Sequence, residues 1–316
     1  MRFPFCGIKQ RDPKTSIVMN MKILLSILLS TVSVFAQPAA AASNASAEEN
    51  YLACFHRADD EMGKFQFNES IKSCEEALKY KPDDFLVRAM ECLDYYEIAE
   101  KLDVKKSDEK QWKIDIYNKM IDIANEGIKR APDKGECYFM RGLANARIST
   151  TKGILSQLFT AKEIEEDWLI AVNRKSDYTT QHGENLQASS CLALGVYYRL
   201  CPRFFLLKWM FGIQGDLDKA VSYCRRAYEL DSTRIEIVKE LGVALITRGL
   251  DNDSNDDIAK GKEYLQKVRT LPLRLNTDSI DIEHSTMLLN DISLCPGYSR
   301  DEQQEISEEA YKKEQK

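Results

Sequence analysis

The strongest constraint on how this chain folds is that it repeats itself. The stretch FNESIKSCEEALKYKPDD, residues 67–84, and the stretch LDKAVSYCRRAYELDSTR, residues 217–234, carry the same pattern. Ser70 matches Ala220, Ile71 matches Val221, Cys74 matches Cys224, Ala77 matches Ala227, and Pro82 falls where Ser232 stands. Small and apolar residues recur at helical spacing in both, so each reads as an amphipathic helix with a small-residue stripe on its buried face. From about residue 50 onward this periodicity dominates, and no alternating strand pattern runs for long. Only 8 prolines and 14 glycines interrupt 316 residues, a scarcity that favours helices.

These segments resemble the second helix of a tetratricopeptide repeat, whose period is about 34 residues. In that family small residues let two antiparallel helices approach closely, a larger apolar residue fills the gap, and a proline stops the helix. The first helix needs a small residue for the same reason. Gly142, Gly195 and Gly242 occupy that place in MRGLANA, ALGVYYR and ELGVALI. The resemblance implies an all-α fold, a right-handed TPR-like α-solenoid of about five helix pairs plus a C-terminal capping helix. The units fall at about 51–84, 85–134, 135–178, 179–234 and 235–275, with the cap at 278–292. A linker at 37–50 precedes them, and a charged tail at 293–316 follows, reading as a solvated or frayed segment.

Residues 164–292 resemble a narrower group, the repeat proteins similar to regulators of microtubule dynamics, which have bacterial members. The resemblance rests on EIEEDWLIAV, LGVYYRL, an apolar insertion, KAVSYCRRAYELDS, ELGVALI and a last helix after LPLRLNTDSID, in that order. Two departures from the group are Ile237 and Val238, which replace its histidines, and Tyr197, near which a tryptophan is usual. The resemblance implies a repeat scaffold and supplies no catalytic residues. A weaker likeness is to the exported repeat subunits associated with some solute transporters.

The N-terminus reads as a targeting segment. Lys22 precedes the apolar run ILLSILLSTVSVF, residues 23–35, and small residues follow in QPAAAAS. The run is too short for a bilayer span, which needs about 20 residues, and the whole matches a secretory signal. Cleavage is expected after Ala36, with Ala42 as runner-up and an uncleaved anchor as the alternative; Met19 and Met21 are alternative translation starts. The mature chain is then expected to be periplasmic or extracellular, without a transmembrane span, and monomeric by default. A net charge of −6 gives no basic stripe for nucleic acid.

The insertion LCPRFFLLKWMFGIQ, residues 200–214, is the most informative local feature. Phe205, Trp209 and Phe211 are among its many apolar side chains, each favouring burial by about 1.5–3 kcal/mol. Its simplest reading is that it folds back and plugs the concave face. A partner or membrane-surface contact and the wall of a ligand pocket are the other two. On the tetratricopeptide pattern the first helix of each pair lines the concave groove, which assigns Phe139, Leu143, Leu192, Val196, Arg199 and Lys239 to it, together with Val243. Lys239 alone fits a carboxylate clamp, so that recognition mode is rejected; an apolar groove with Arg199 and Lys239 suits an amphipathic peptide or an apolar anion.

Cysteines Cys54 and Cys74, and likewise Cys191 and Cys224, stand at equivalent repeat positions nearly level on paired helices. An exported protein meets an oxidising compartment, which makes two intra-repeat disulfides the expectation and small-hydrophobe packing the alternative. No Cys/His cluster suggests a metal, and no phosphate loop, GxSxG, HExxH or glycine-rich fingerprint suggests a cofactor or an enzyme. The function expected is an exported scaffold or adaptor that binds a protein or peptide through its concave face and the insertion. The competing reading is a periplasmic subunit of a transport or sensing system that holds a small apolar ligand in an enclosed pocket.

Overall fold

The computed structural model describes residues 37–174, 176 and 178–314, with side chains from Ser46 onward. The targeting segment at 1–36 and its cleavage point at Ala36 lie outside the described residues. The chain divides into two compact units, Met1–Asn50 and Tyr51–Lys316. In the first, residues 37–50 are helical where the sequence suggests a linker.

The described chain is all-α. Its helices are α1 (Gln37–Gly63), α2 (Phe67–Tyr80), α3 (Phe85–Ala99), α4 (Ser107–Arg130), α5 (Glu136–Lys152), α6 (Ala161–Asn173), α7 (Leu186–Leu200), α8 (Phe205–Phe211), α9 (Leu217–Leu230), α10 (Ile235–Asp251), α11 (Asn255–Lys267), α12 (Asp278–Asn290) and α13 (Glu308–Glu314). Among the described residues strand pairing is limited to one isolated bridge, Thr179 with Asn185. Consecutive long helices pack on each other, α7 meeting α9 directly because α8 lies in the insertion between them. Every second helix also touches the next of its kind: α3 on α5, α5 on α7, α7 on α10, and α10 on α12. That two-layer stacking is a TPR-like α-solenoid.

The small-residue stripes act as close-approach surfaces. Ser70, Ile71, Cys74 and Ala77 are buried on α2, and Ala220, Val221, Cys224 and Ala227 are their counterparts on α9. Asp84 starts α3 by accepting from the backbone N–H of Leu86 and Val87 at 2.9 and 3.0 Å. Asp216 does the same for α9 with Asp218 and Lys219. Such caps satisfy amide groups that a helix leaves unbonded at its start. The inner helix α10 is buried on nearly every face, whereas the outer helices α2, α9 and α11 bury one stripe each.

Glycine is required where inner and outer helices touch. A Cβ on Gly242 would stand 2.8 Å from the carbonyl oxygen of Gly261 on α11, and one on Gly261 would stand 2.7 Å from that of Gly242. A Cβ on Gly142 would meet the Trp168 indole at 2.7 Å.

Three sequence expectations are corrected. The insertion does not plug the concave face: only Leu207 and Ile213 of its large side chains are fully buried, and Phe205 and Trp209 are 77% and 76% exposed. The tail at 293–316 is not simply solvated, since Cys295, Tyr298 and Tyr311 are buried. The disulfides Cys54–Cys74 and Cys191–Cys224 are not formed; all eight described cysteines are free and buried. The Cys224 sulfur sits against Gly195, filling the space that the missing side chain leaves. Burial also pushes the thiols up, to about 12 at Cys137, Cys201 and Cys295, away from the thiolate that oxidation needs.

Gly242→Ala is expected to destabilise the fold by roughly 1–3 kcal/mol, because two backbones must separate to admit one methyl group. Thermal denaturation should show this as a loss of several degrees at about 2–4 °C per kcal/mol. An unchanged melting temperature would mean that the α10–α11 contact is looser than described.

Candidate functional site

The inner helices gather the groove residues. Phe139 and Leu143 on α5, Leu192, Val196 and Arg199 on α7, and Lys239 on α10 all line one cavity of about 130 Å³. Val243 does not line it; it is buried against Leu265, Leu288 and Tyr298. Trp168 on α6 joins the wall, as do Arg147, Arg234, Ser299 and Arg300. The last two belong to residues 295–304, which return across the inner layer and cover it.

Four residues of that segment are anchored first. Arg199 donates to the Cys295 carbonyl at 3.1 Å, and Lys239 donates to the Tyr298 hydroxyl at 2.8 Å. Arg300 donates to Glu100 at 2.8 Å and to the Tyr96 hydroxyl at 3.1 Å through Nη1, and to Asp281 at 2.9 Å through Nη2; it also pairs with Glu236 at 2.9 Å. Asp301 accepts from Lys113 at 2.8 Å, Arg147 at 2.9 Å and Thr151 at 3.1 Å. Beyond these, Gln304 donates to the Thr150 carbonyl at 3.0 Å.

The electrostatics follow from burial and pairing. Burial alone would raise the Glu100 pKa, but Arg147, Lys113 and Arg300 together hold it well below the usual carboxylate range. Asp281 is held down in the same way by Arg300 and Lys239 against its own burial. Asp94 on α3 is the opposite case. Neither of its buried oxygens has a hydrogen-bond partner. Burial pushes its pKa up to about 8, and the neighbouring carboxylates Glu91 and Glu97 add to the rise.

A second surface lies outside the concave face. Phe205 and Trp209, one turn apart on α8, present 77% and 76% of their surface to solvent, and Met210 presents 49%. Phe211, half-buried, lines a shallow groove with Met210, Leu155, Leu158 and Phe159 of the 3₁₀ turn Ile154–Thr160, and Tyr311 of α13. Phe159 is itself 67% exposed. Leu207 and Ile213 anchor the insertion below, and Phe204 packs on the Tyr311 ring at 5.4 Å. The structure therefore keeps the groove residues and the insertion aromatics apart, on two different surfaces. No helix among the described residues is long and apolar enough to cross a membrane.

Removing one member of a buried ion network strands the others, at a cost of roughly 3–5 kcal/mol. Asp301→Ala should lose stability on that scale in denaturant titration, and amide exchange should accelerate across 295–304 before the rest of the fold. Protection unchanged in that segment would show that Asp301 does not hold it.

Asp94 generates a pH prediction. Its folded pKa lies above its unfolded value of about 3.9, so the fold binds a proton that the unfolded chain releases. Stability then falls as pH rises from about 4 to about 8, and levels off above. Asp94→Asn should melt several degrees above the parent at pH 8 and close to it at pH 4. Melting curves that stay parallel across that range would remove Asp94 as the cause.

No protein-family model matches this chain, and no curated protein matches it. Among solved structures it is similar to a crystal structure described as MamA protein, at 17% identity and a TM-score of 0.42, covering 72% of this chain and 98% of that one. A second crystal structure of MamA is similar at 16% identity and a TM-score of 0.40, covering 67% of this chain and 96% of that one.

Proposed function

We propose that this protein is an interaction scaffold whose partner docks on the aromatic surface of the insertion rather than in the concave groove. The observation that carries this reading is the exposure of Phe205 and Trp209 side by side on α8, continued by Met210 and Phe159. Large apolar side chains grouped at a surface mark contact sites, and aromatic residues of this kind dominate binding energy where they are buried by a partner. Leu207 and Ile213 fix the insertion to the solenoid, so the aromatic pair is presented by a supported element and little order has to be gained on binding.

The concave face, the other surface on which a peptide docks in a solenoid, is covered by residues 295–304. A peptide partner reaches it only by displacing them. The targeting segment at 22–36 places the scaffold outside the cytoplasm in this reading, as a chain cleaved after Ala36.

Native mass spectrometry of the protein purified gently from its own host tests both parts. The expected result is a chain beginning at Gln37 with a stoichiometric second polypeptide. Phe205→Ser and Trp209→Ser should each weaken that complex by about tenfold or more, at roughly 2 kcal/mol per hot-spot residue, without changing the melting temperature. A complex indifferent to both substitutions would move the partner elsewhere, and an intact N-terminus would overturn cleavage after Ala36.

A further inference from the structure

The surface around α8 has two parts that fit each other. One is a projection: Phe205, Lys208 and Trp209 stand three and four residues apart on one face of the helix, and all three are exposed. The other is the groove of about 480 Å³ beside it, walled by Leu155, Phe159, Met210, Phe211 and Tyr311 and also by Glu314. The projection does not fill the groove of its own chain, since Phe205 and Trp209 keep 77% and 76% of their surface in solvent. A cavity of about 150 Å³ admits one benzene ring, so the groove has room for a phenyl and an indole ring together.

Charge divides in the same way. Lys208 and Glu314 are both exposed, and neither side chain has a hydrogen bond or an ion pair among the described residues. Their charged neighbours are engaged: Arg203 pairs with Asp251 at 2.6 Å, and Lys312 with Glu308 at 2.6 Å. The projection thus carries an unpaired cation, and the groove an unpaired anion.

A surface with a projection, a groove that takes it and opposite charges on the two is complementary to itself. A half-turn places each projection in the groove of the other copy, and a two-fold pair makes every contact twice. The area suffices. A fully buried Phe or Trp covers about 150–250 Å², so Phe159, Phe205 and Trp209 leave roughly 400 Å² of ring surface per copy in water. Pairing removes twice that, and Met210 and the groove walls bring the total to the ~1,000 Å² that a specific interface has to clear.

We propose that the occupant of this surface is a second copy of the chain, in place of the monomer expected from the sequence. In the two-fold dimer, Phe205 and Trp209 of each copy enter the groove of the other, and Lys208 meets Glu314 across the interface. The proposal rests on the assignment of the α8 surface as the docking site and names what docks there.

Sedimentation equilibrium of the protein purified from its own host tests it. A dimer should form with Kd on the order of 10 μM, the weak range that suits an interface of the smallest specific size. Trp209→Ser on the projection and Phe159→Ser on the groove should each weaken it by about tenfold or more. Both side chains are exposed, so neither change should unfold the chain. Lys208→Glu and Glu314→Lys should each weaken the dimer by about threefold or more, and the double exchange should restore it. A chain still monomeric at about 100 μM, ten times that Kd, would overturn the dimer. The scaffold assignment is then decided separately by the host complex: Trp209→Ser weakens it if another polypeptide sits on α8, and leaves it unchanged if none does. A monomer that sediments with phosphatidylglycerol vesicles would give the surface to a membrane instead. A dimer indifferent to both serine substitutions, or one that the double exchange fails to restore, would also overturn the proposal.

Discussion

One guanidinium ties the beginning of this solenoid to its end. Arg300 reaches Glu100, at the end of the inner helix α3, and Asp281, on the last inner helix α12. A repeat array ordinarily has contacts only between neighbours, so its stability accumulates unit by unit. Here Glu100 and Asp281 are 181 positions apart in sequence and share one cation. Loosening either end removes charge compensation from the other, which makes the inner layer cooperative over its length.

That network is not a simple source of stability. Taking so many charges out of water is expensive, and their mutual attraction only roughly repays it. Its effect is on specificity. Arg300 and Asp301 each find several partners at once, among them Lys113 and Arg147 for Asp301. A slip of one residue in the returning segment would leave those partners buried and unmatched. The ion pairs thus define one register for residues 295–304 across helices that offer an apolar segment many.

The repeats are legible in the sequence because their signal is local. Ala77 and Ala227 announce a close helix contact within one turn of their own helices, and Gly242 announces its partner surface without naming Gly261. The groove positions of Arg199 and Lys239 follow from the same period. Arg300 and Asp301 have no such signal. They stand in YSRDEQQE, a run whose composition is that of a solvated tail, and their partners lie up to 204 residues away. The insertion misleads for a different reason: its total hydrophobicity suggests burial, whereas its phase divides it. Phe205 and Trp209 share one helical face and Leu207 takes the other. The cysteines mislead because equivalent positions suggest a bond, while the Cys224 thiol serves to fill the gap over Gly195.

The returning segment also connects the two surfaces. Ser299 and Arg300 form part of the cavity wall, and the same chain continues to Tyr311, which packs on Phe204 at the root of the insertion. A peptide that enters the concave face must lift Arg300 away and so removes the cation that Glu100 and Asp281 share. Displacing the segment therefore strands buried carboxylates at both ends of the inner layer, a cost that opposes docking on that face.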